Sequence, residues 1–365
     1  MESPSSLALF EVSDSVQIDC KQPFTTLCSS TEQLSETPNK TTLLPPLWRR
    51  IMRGNFTDWK ALADYLELSH EQRGSILTQS HFPLNIPQRL AAKAAKGTLN
   101  DPILKQFLPT IAEKEASIGF CSDPVGDALA QKSGKLLHKY RGRMLILCSN
   151  SCAMHCRYCF RQNFAYDRDN KGFDKELRII ASDSSISEVI LSGGDPLSLS
   201  DNVLGALLRN LSRIAHLKRI RFHTRFPIGI PERIDDSFVS LIAAIRQQVV
   251  CVIHVNHPKE LDEEIFYSLR RLQQANALLL SQSVLLHNVN DDEETLIELC
   301  EMLINHGIVP YYLFQLDKVE GAAHFEVDEK KGQRLVAAIA ARLPGYGVPK
   351  YVREIAGEPN KSAIL

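Results

Sequence analysis

The pattern that most restricts the fold is a sixfold alternation of short apolar segments with longer amphipathic ones. The apolar segments have the length and the branched side chains of buried strands, and they occupy residues 144–148, 188–191, 219–223, 249–255, 277–281 and 309–314. Strands that alternate with helices in this way predict a parallel sheet, rolled into a full or a partial barrel.

Chemically suggestive residues follow each of these predicted strands. They are the cysteine-rich loop after the first, SGGDP after the second, HTRFP after the third, residues 254–257 at the end of the fourth, Gln282 after the fifth and residues 315–317 after the sixth. In a barrel of this kind the loops at the carboxyl ends of the strands converge on one mouth. The sequence therefore predicts a single site there.

The rest of the chain divides by composition. Residues 1–44 are rich in Ser, Thr, Pro and Gln, and they predict a flexible tail. Helical periodicity at 56–68, 87–96 and 101–116 predicts an N-terminal helical lobe at 45–137. The barrel is then expected at 138–343, and a separate C-terminal segment at 344–365.

Charge and hydropathy restrict the partners. The chain has 42 Lys and Arg against 43 Asp and Glu, so no overall positive field attracts nucleic acid or anionic lipid. The longest apolar stretch without charge, at 275–286, is too short for a membrane helix, which needs roughly 20 residues. The amino terminus has no secretory signal pattern. A cytoplasmic protein with no nucleic acid or membrane partner is expected.

Three cysteines form the sharpest chemical motif. Cys152, Cys156 and Cys159 have the spacing C-x3-C-x2-C, which lets one loop bind three corners of a [4Fe–4S] cluster. The fourth iron is then open to chelation by the amino and carboxylate groups of S-adenosylmethionine (SAM), which one electron would cleave to a 5′-deoxyadenosyl radical. The alternatives are three unrelated core thiols, or a zinc site completed by His155 or Cys148. Tyr158, just before the last cysteine, favours the cluster.

The GGDP sequence supplies Gly193, Gly194 and Asp195 after the second strand. Two glycines let the backbone approach a ligand closely, and their carbonyls accept hydrogen bonds from an ammonium group. Alone the motif is typical of a turn, but beside the cysteine loop it indicates a SAM site.

A series of longer motifs resembles one enzyme family. The motifs are HKYRGRMLIL, CAMHCRYCFRQNF, LSGGDPL, HVNHPKELDEE, SQSVLLHNVND, DKVEGAAHF and PKYVREIAGEPNK. They resemble the lysine 2,3-aminomutase family of radical SAM enzymes, in particular the shorter members that make (R)-β-lysine for modification of elongation factor P.

The resemblance implies the fold, the activity and the partners. It implies an α/β fold, a partial (βα)6 TIM-like barrel of the radical SAM type. It also implies an isomerase that converts L-α-lysine to (R)-β-lysine by 1,2-amino migration. The electron donor would be a flavodoxin or ferredoxin, and the product would serve elongation factor P and its lysyl ligase.

The resemblance also implies a second cofactor, pyridoxal 5′-phosphate (PLP). Lys361 stands where the family has its PLP-binding lysine, which makes 344–365 the PLP-lysine segment. Tyr140 and Arg143 stand where the family contacts PLP and its phosphate. Without the resemblance, Lys361 is a surface lysine near the chain end, and HKYRGR is an exposed basic segment.

The substrate and SAM residues follow from family position as well. Arg161 matches the arginine for the substrate α-carboxylate, and Asp317 and Glu354 match two acids for the ε-ammonium. His254, Asn256, His257 and Gln282 are placed around SAM. The alternatives are a surface ion pair for Arg161, solvent-facing charges for the acids, and hydrogen-bonded core polar groups for the others.

Two departures from the long aminomutases bear on specificity and assembly. Glu354 replaces an aspartate, and GEPN replaces a glycine-rich run before Lys361, after which only four residues follow. We therefore do not expect the zinc-binding and oligomer-forming extension of the long enzymes. An aminomutase for glutamate and a non-catalytic iron–sulfur or zinc module remain alternatives.

Overall fold

The computed structural model describes residues 44–167 and 172–365 of the chain. Residues Pro45–Leu365 form one compact unit. The predicted flexible tail lies outside the described residues, except for Leu44.

Twelve α-helices occur in the described residues. They are α1 Leu47–Arg53, α2 Trp59–Tyr65, α3 His70–Gly74, α4 Gln88–Lys93, α5 Pro102–Phe107, α6 Asp174–Ser182, α7 Asp201–Ser212, α8 Phe226–Gly229, α9 Asp236–Ala243, α10 Glu263–Gln274, α11 Glu293–Asn305 and α12 Glu329–Arg342. Several begin at an Asp or Ser whose side chain accepts a hydrogen bond from a backbone N–H in the first turn, as Asp262 does for α10 and Asp292 for α11.

Ten strands form one sheet within the described residues. They are β1 Gln131–Ser133, β2 Leu136–Tyr140, β3 Arg143–Ser149, β4 Glu188–Gly193, β5 Arg219–Thr224, β6 Gln248–His254, β7 Ala277–Val284, β8 Val309–Phe314, β9 Lys350–Arg353 and β10 Ser362–Ala363. They lie side by side in sequence order. Strands β3 to β9 are parallel, while β1, β2 and β10 add antiparallel edges.

The sheet curves into a partial barrel. Residues from every strand from β2 to β10 line the same cavity, so the strands must bend around it. Between the described strands β1 and β10 there is no pairing, and the barrel is therefore open. Strand β4 is buried over its first five residues because helices cover one face and the barrel interior covers the other.

The predicted α/β barrel is confirmed, and each of the six predicted strands lies within a few residues of an observed one. The parallel part contains a seventh strand, β9, which is four residues long and too short for the sequence pattern to indicate. The predicted boundary after residue 137 falls inside β2, and the segment 344–365 contributes β9 and β10. The sheet thus continues across both boundaries.

The helical lobe is present but its helices are shorter than predicted. The segment 101–116 contains α5 and then a short 3-10 helix at Ile111–Lys114. Pro109 separates them because it has no N–H to donate and disfavours helix at the residue before it. The lobe's last part, 131–137, forms strand instead of helix.

Candidate active site

A cavity of about 820 Å³ opens at the carboxyl ends of the parallel strands. Every residue that the sequence assigned to the cluster and to PLP lines it, as do the three assigned to substrate. Gly193, Gly194, Asp195, His254 and Gln282 line it too. Asn256 and His257 do not. The volume is in the upper range of small-molecule sites.

The cysteine loop is fixed by the helical lobe. The Arg157 side chain is buried and forms an ion pair with Glu113, and its Nη1 donates to the Phe82 carbonyl at 2.7 Å. Asn55 Nδ2 donates to the Ala153 carbonyl at 2.7 Å. The His155 N–H donates to the Asn85 carbonyl at 2.9 Å. Because these contacts come from residues 55–113, the lobe determines where the loop lies.

The three thiols share one environment. Burial, and then the nearby Cys156, together raise the pKa of Cys159 to about 11, because two thiolates close together repel. The pKa of Cys152 is also raised, first by burial and then by Asp195 and the other two cysteines. Cys148 is buried in the apolar core, and His155 Nδ1 is 2.8 Å from the Pro83 carbonyl. Neither proposed fourth zinc ligand lines the cavity.

The two glycines of GGDP let two loops touch. Gly193 has a φ of +112°, which side chains rarely allow. The Gly194 N–H donates to the Ser149 carbonyl at 2.6 Å, and the Asp195 N–H donates to the Ser151 carbonyl at 2.8 Å. A methyl group on Gly194 would overlap the Ser151 backbone. The glycines therefore allow close approach to the cysteine loop.

The Asp195 carboxylate is occupied by its own surroundings. It accepts from Thr224 Oγ1 at 2.8 and 2.9 Å, from the Arg225 N–H at 2.8 Å and from the Leu197 N–H at 3.0 Å. It also accepts from the Phe226 N–H at 3.2 Å. The Asp195 side chain thus joins the GGDP loop to the end of β5. Because its carboxylate is already used, the backbone of the GGDP loop is what remains to face a ligand.

The residues placed around SAM differ in position. His254 Nε2 is 2.8 Å from Tyr158 Oη, and burial lowers the pKa of His254 well below its ordinary value. The Gln282 amide forms no side-chain hydrogen bond with the described residues. Asn256 Oδ1 accepts from the Val284 N–H at 2.8 Å, and His257 Nδ1 accepts from the Lys259 N–H at 3.0 Å. Asn256 and His257 thus support neighbouring backbone.

Five charged side chains form a continuous line along the cavity. Arg161 Nε is 2.6 Å from Asp127 Oδ2, and Lys139 Nζ lies 2.7 Å from Asp127 Oδ1 and 3.1 Å from Glu354 Oε1. Glu354 is also paired with Lys361. Burial alone would raise the pKa of Asp127, but Arg161 and Lys139 outweigh it and hold that pKa below its ordinary value. Arg161 is thus in an ion pair, as one alternative predicted, but in the cavity and not on the surface.

Asp317 differs from the other acids because it has no cationic partner within ion-pair distance among the described residues. Burial raises the pKa of Asp317 to about 7, and the nearby Glu354 adds to the rise. An additional cation in the cavity would favour the ionised carboxylate. The charge arrangement therefore suits a ligand with a positive group at Asp317.

Lys361 is held in the cavity by the last strand. Residues Ser362 and Ala363 pair with β9, and the Ile364 side chain packs into an apolar cluster. Lys361 Nζ lies 5.6 Å from the ring centre of Tyr140 and 5.0 Å from that of Phe314. The five final residues reach the cavity because of that pairing, which depends on the tertiary structure.

Comparison with known proteins gives consistent results. Residues 141–232 match the 4Fe-4S single cluster domain family. The chain is 42% identical to the L-lysine 2,3-aminomutase of Haemophilus influenzae over 319 residues, which are 86% of this chain and 94% of the relative. It is 40% identical to the Escherichia coli enzyme of that name over 78% of this chain and 83% of the relative.

This chain belongs to the lysine 2,3-aminomutase family. A crystal structure of a radical SAM methyltransferase from Sphaerobacter thermophilus is also similar, with a TM-score of 0.43 and 17% identity over 60% of this chain and 68% of that one. The identities to the aminomutases span both the helical lobe and the barrel. Membership confirms the resemblance that the motifs indicated.

As a radical SAM enzyme of this family, the protein uses a [4Fe–4S] cluster and SAM, and the cavity fits both. Within residues 44–167 and 172–365, no three His, Cys, Asp or Glu side chains are arranged to hold a single metal ion. A cluster does not need that arrangement, because each thiolate of a cubane binds a different iron and the three sulfurs need not surround one point. In the same ranges, no helix is long and apolar enough to cross a membrane.

Sequence reasoning missed four residues of this aminomutase site. Asp127 and Lys139 complete the charged line, and Arg225 and Glu260 form a buried ion pair beside the cysteine loop. Arg225 and Glu260 lie inside motifs that the sequence singled out, HTRFP and HVNHPKELDEE. Asp127 lies in no such motif, and nothing local distinguishes it from a surface acid.

Proposed function

We propose that this protein converts L-α-lysine to (R)-β-lysine, with PLP bound at Lys361 beside a cluster held by Cys152, Cys156 and Cys159. The observation that carries the proposal is that the Lys361 amine and the three thiols line the same cavity, although Lys361 is 202 residues after Cys159. A reaction that uses both an amine and a cluster requires them to lie on one cavity, and this arrangement meets that requirement.

The PLP site is proposed from the residues around Lys361. Arg143 lies over the Tyr140 ring at 5.4 Å and forms no ion pair with the described residues, which leaves its guanidinium for a phosphate. His223 Nε2 is buried without a hydrogen-bond partner in the described part of the chain. A buried polar atom of this kind is normally satisfied, so a polar ligand fits there.

The substrate groups are assigned by charge. The Arg161 guanidinium donates through Nε to Asp127 and through Nη1 to Ser192 Oγ at 3.4 Å, and its Nη2 is left for the α-carboxylate. Asp317 receives the ε-ammonium, with Glu354 next to it. An acid at this end favours lysine over glutamate because glutamate would place a second carboxylate against Asp317.

The protein's own contribution is orientation and shielding. When bound, the cluster and SAM supply the organic radical, and PLP supplies the conjugated system that makes amino migration accessible. The glycines and Gln282 would position SAM, while Arg161 and Asp317 would hold the two ends of lysine in one orientation. The apolar walls of the cavity exclude water from the reacting groups.

The partners follow from the proposed product. β-Lysine would be passed to elongation factor P by its lysyl ligase, and a flavodoxin or ferredoxin would supply the electron. These links, and a location in the cytoplasm, are supported by the likeness to the shorter members of the family.

An anaerobic assay tests the proposal. Reconstituted protein is incubated with labelled L-lysine, SAM, PLP and dithionite, and β-lysine and 5′-deoxyadenosine are measured. Borohydride treatment with PLP, followed by peptide mass analysis, locates the PLP lysine. We expect β-lysine and a pyridoxyl adduct on Lys361.

The variant Lys361→Ala should lose the adduct and the β-lysine. Lys330→Ala, which removes an exposed lysine on α12, is the matched control and should retain both. Faster conversion of glutamate than of lysine would refute the substrate assignment. Absence of 5′-deoxyadenosine from wild-type protein with iron bound would favour a non-catalytic module.

A further inference from the structure

Arg225 reaches the cysteine loop from the end of β5. Its Nη1 donates a hydrogen bond to Cys156 Sγ at 2.8 Å and another to Tyr158 Oη. The side chain is only 7% exposed. Of the buried arginines in the described residues, it is the one that donates a hydrogen bond to a cysteine of the motif.

The other amino group of Arg225 is held by a fixed acid. Nη2 donates to Glu260 Oε2 at 2.6 Å and to Gln106 Oε1 at 2.7 Å. The Glu260 side chain is fully buried, and its Oε1 accepts from the backbone N–H groups of Asn256 and His257, both at 3.0 Å. The Arg225 guanidinium therefore lies between the Cys156 sulfur and the Glu260 carboxylate. These hydrogen bonds hold both charged side chains in place.

This arrangement acts on the charge of the cluster. Reduction adds one electron to the [4Fe–4S] unit, and part of its charge spreads to the cysteine sulfurs. A cation hydrogen-bonded to a sulfur stabilises the reduced form and raises the reduction potential, whereas a nearby anion lowers it. Burial strengthens both effects because little water screens them.

We propose that Arg225 and Glu260 together set the reduction potential of the cluster, with Arg225 raising it through Cys156 and Glu260 limiting that rise. Both are positioning residues, since neither is placed in contact with substrate. The inference rests on the proposed function in one respect, namely that Cys156 is a cluster ligand.

The test measures potential instead of turnover. Full-length protein is reconstituted anaerobically without SAM or PLP, iron and sulfide are counted per chain, and the EPR signal of the reduced cluster is titrated against potential. Glu260→Gln removes the anion and keeps the cation. The double variant R225M/E260Q removes both without leaving an unpaired buried charge.

The two variants should move in opposite directions. We expect E260Q to raise the potential and R225M/E260Q to lower it below the wild-type value. Each shift should correspond to at least a tenfold change in the ratio of reduced to oxidised cluster at a fixed potential, which is about 59 mV for a one-electron couple.

Arg233→Gln is the matched control. Arg233 is also fully buried and paired with an acid, Asp201, but it packs against Trp48 and Phe238, and among the described residues it hydrogen-bonds no cysteine. R233Q should lose stability without shifting the potential. Shifts of the same sign in E260Q and the double variant, no shift in either, or an equal shift in R233Q would overturn the inference.

Loss of the cluster does not leave the question open. If the double variant binds no iron, the sign of the E260Q shift decides, because a downward shift contradicts the electrostatic account. Wild-type protein that assembles no cluster would instead refute the proposed function.

Discussion

Replacing Gly194 by alanine should separate the GGDP loop from the cysteine loop. An added Cβ would lie 2.7 Å from the Ser151 nitrogen and 2.9 Å from the Asn150 carbonyl carbon, and closer still to the Ser151 oxygen. All three atoms belong to backbone, so no side-chain rotation relieves the overlap. One loop must move, and Cys152 follows directly in the chain.

The loss in free energy of unfolding that this substitution causes can be worked out from these contacts. Overpacking in a rigid interior costs about 1 to 3 kcal/mol. The displacement also weakens the backbone hydrogen bonds from Gly194 to Ser149 and from Asp195 to Ser151, each worth about 1 kcal/mol. We therefore expect the free energy of unfolding to fall by about 3 to 5 kcal/mol.

Urea unfolding followed by circular dichroism measures this change, and iron per chain after reconstitution reports the position of the thiols. Gly74→Ala is the control, because Gly74 ends α3 with no atom within 4 Å of a new Cβ. Alanine there should be neutral or stabilise by up to about 1 kcal/mol. A G194A protein as stable as wild type, with full iron content, would refute the steric reasoning.

Two further predictions concern charge. Arg157→Ala leaves Glu113 unpaired in the interior and should cost about 3 to 5 kcal/mol in urea unfolding, whereas Arg73→Ala, from an exposed pair, should cost less than about 1 kcal/mol; similar losses would contradict the burial argument. Because burial raises the pKa of Asp317 to about 7, the folded chain binds this proton more tightly than the unfolded chain. Its stabilising contribution is thus complete below about pH 4 and lost as the pH rises to about 7. Urea midpoints at pH 5 and pH 8 should show wild type losing stability relative to Asp317→Asn, and parallel changes would show that Asp317 ionises normally.

The barrel was predictable because its signals are local. Each parallel strand is a short apolar run, and its neighbour in the sheet is the next strand in the chain, so reading the sequence in order gives the topology. Strand β9 escaped this reasoning because Lys350–Arg353 contains too few residues to show a pattern. The helix predicted at 101–116 was too long because Pro109 interrupts a periodicity that otherwise continues.

Most residues that the sequence assigned to the candidate site line one cavity, but the way their side chains pair was not predicted. Asp195 was expected at SAM, but its carboxylate is used by Thr224 and backbone N–H groups. Arg161 was expected to be available for substrate, and it is shared with Asp127. Residue type and motif position indicate that a polar group belongs to a site, but they do not say which of its atoms remain unpaired.

By itself the sequence determined the order of the strands, the end of the barrel that carries the chemistry, and the three cysteines, because period, spacing and chain order are one-dimensional properties. Only the tertiary structure decided how the charges pair. Lys139 meets Glu354 across 215 residues, and Arg225 meets Glu260 across 35. Such pairs form where folding removes water from both partners at once, and the strength of a charge pair depends on that burial and on distances in space.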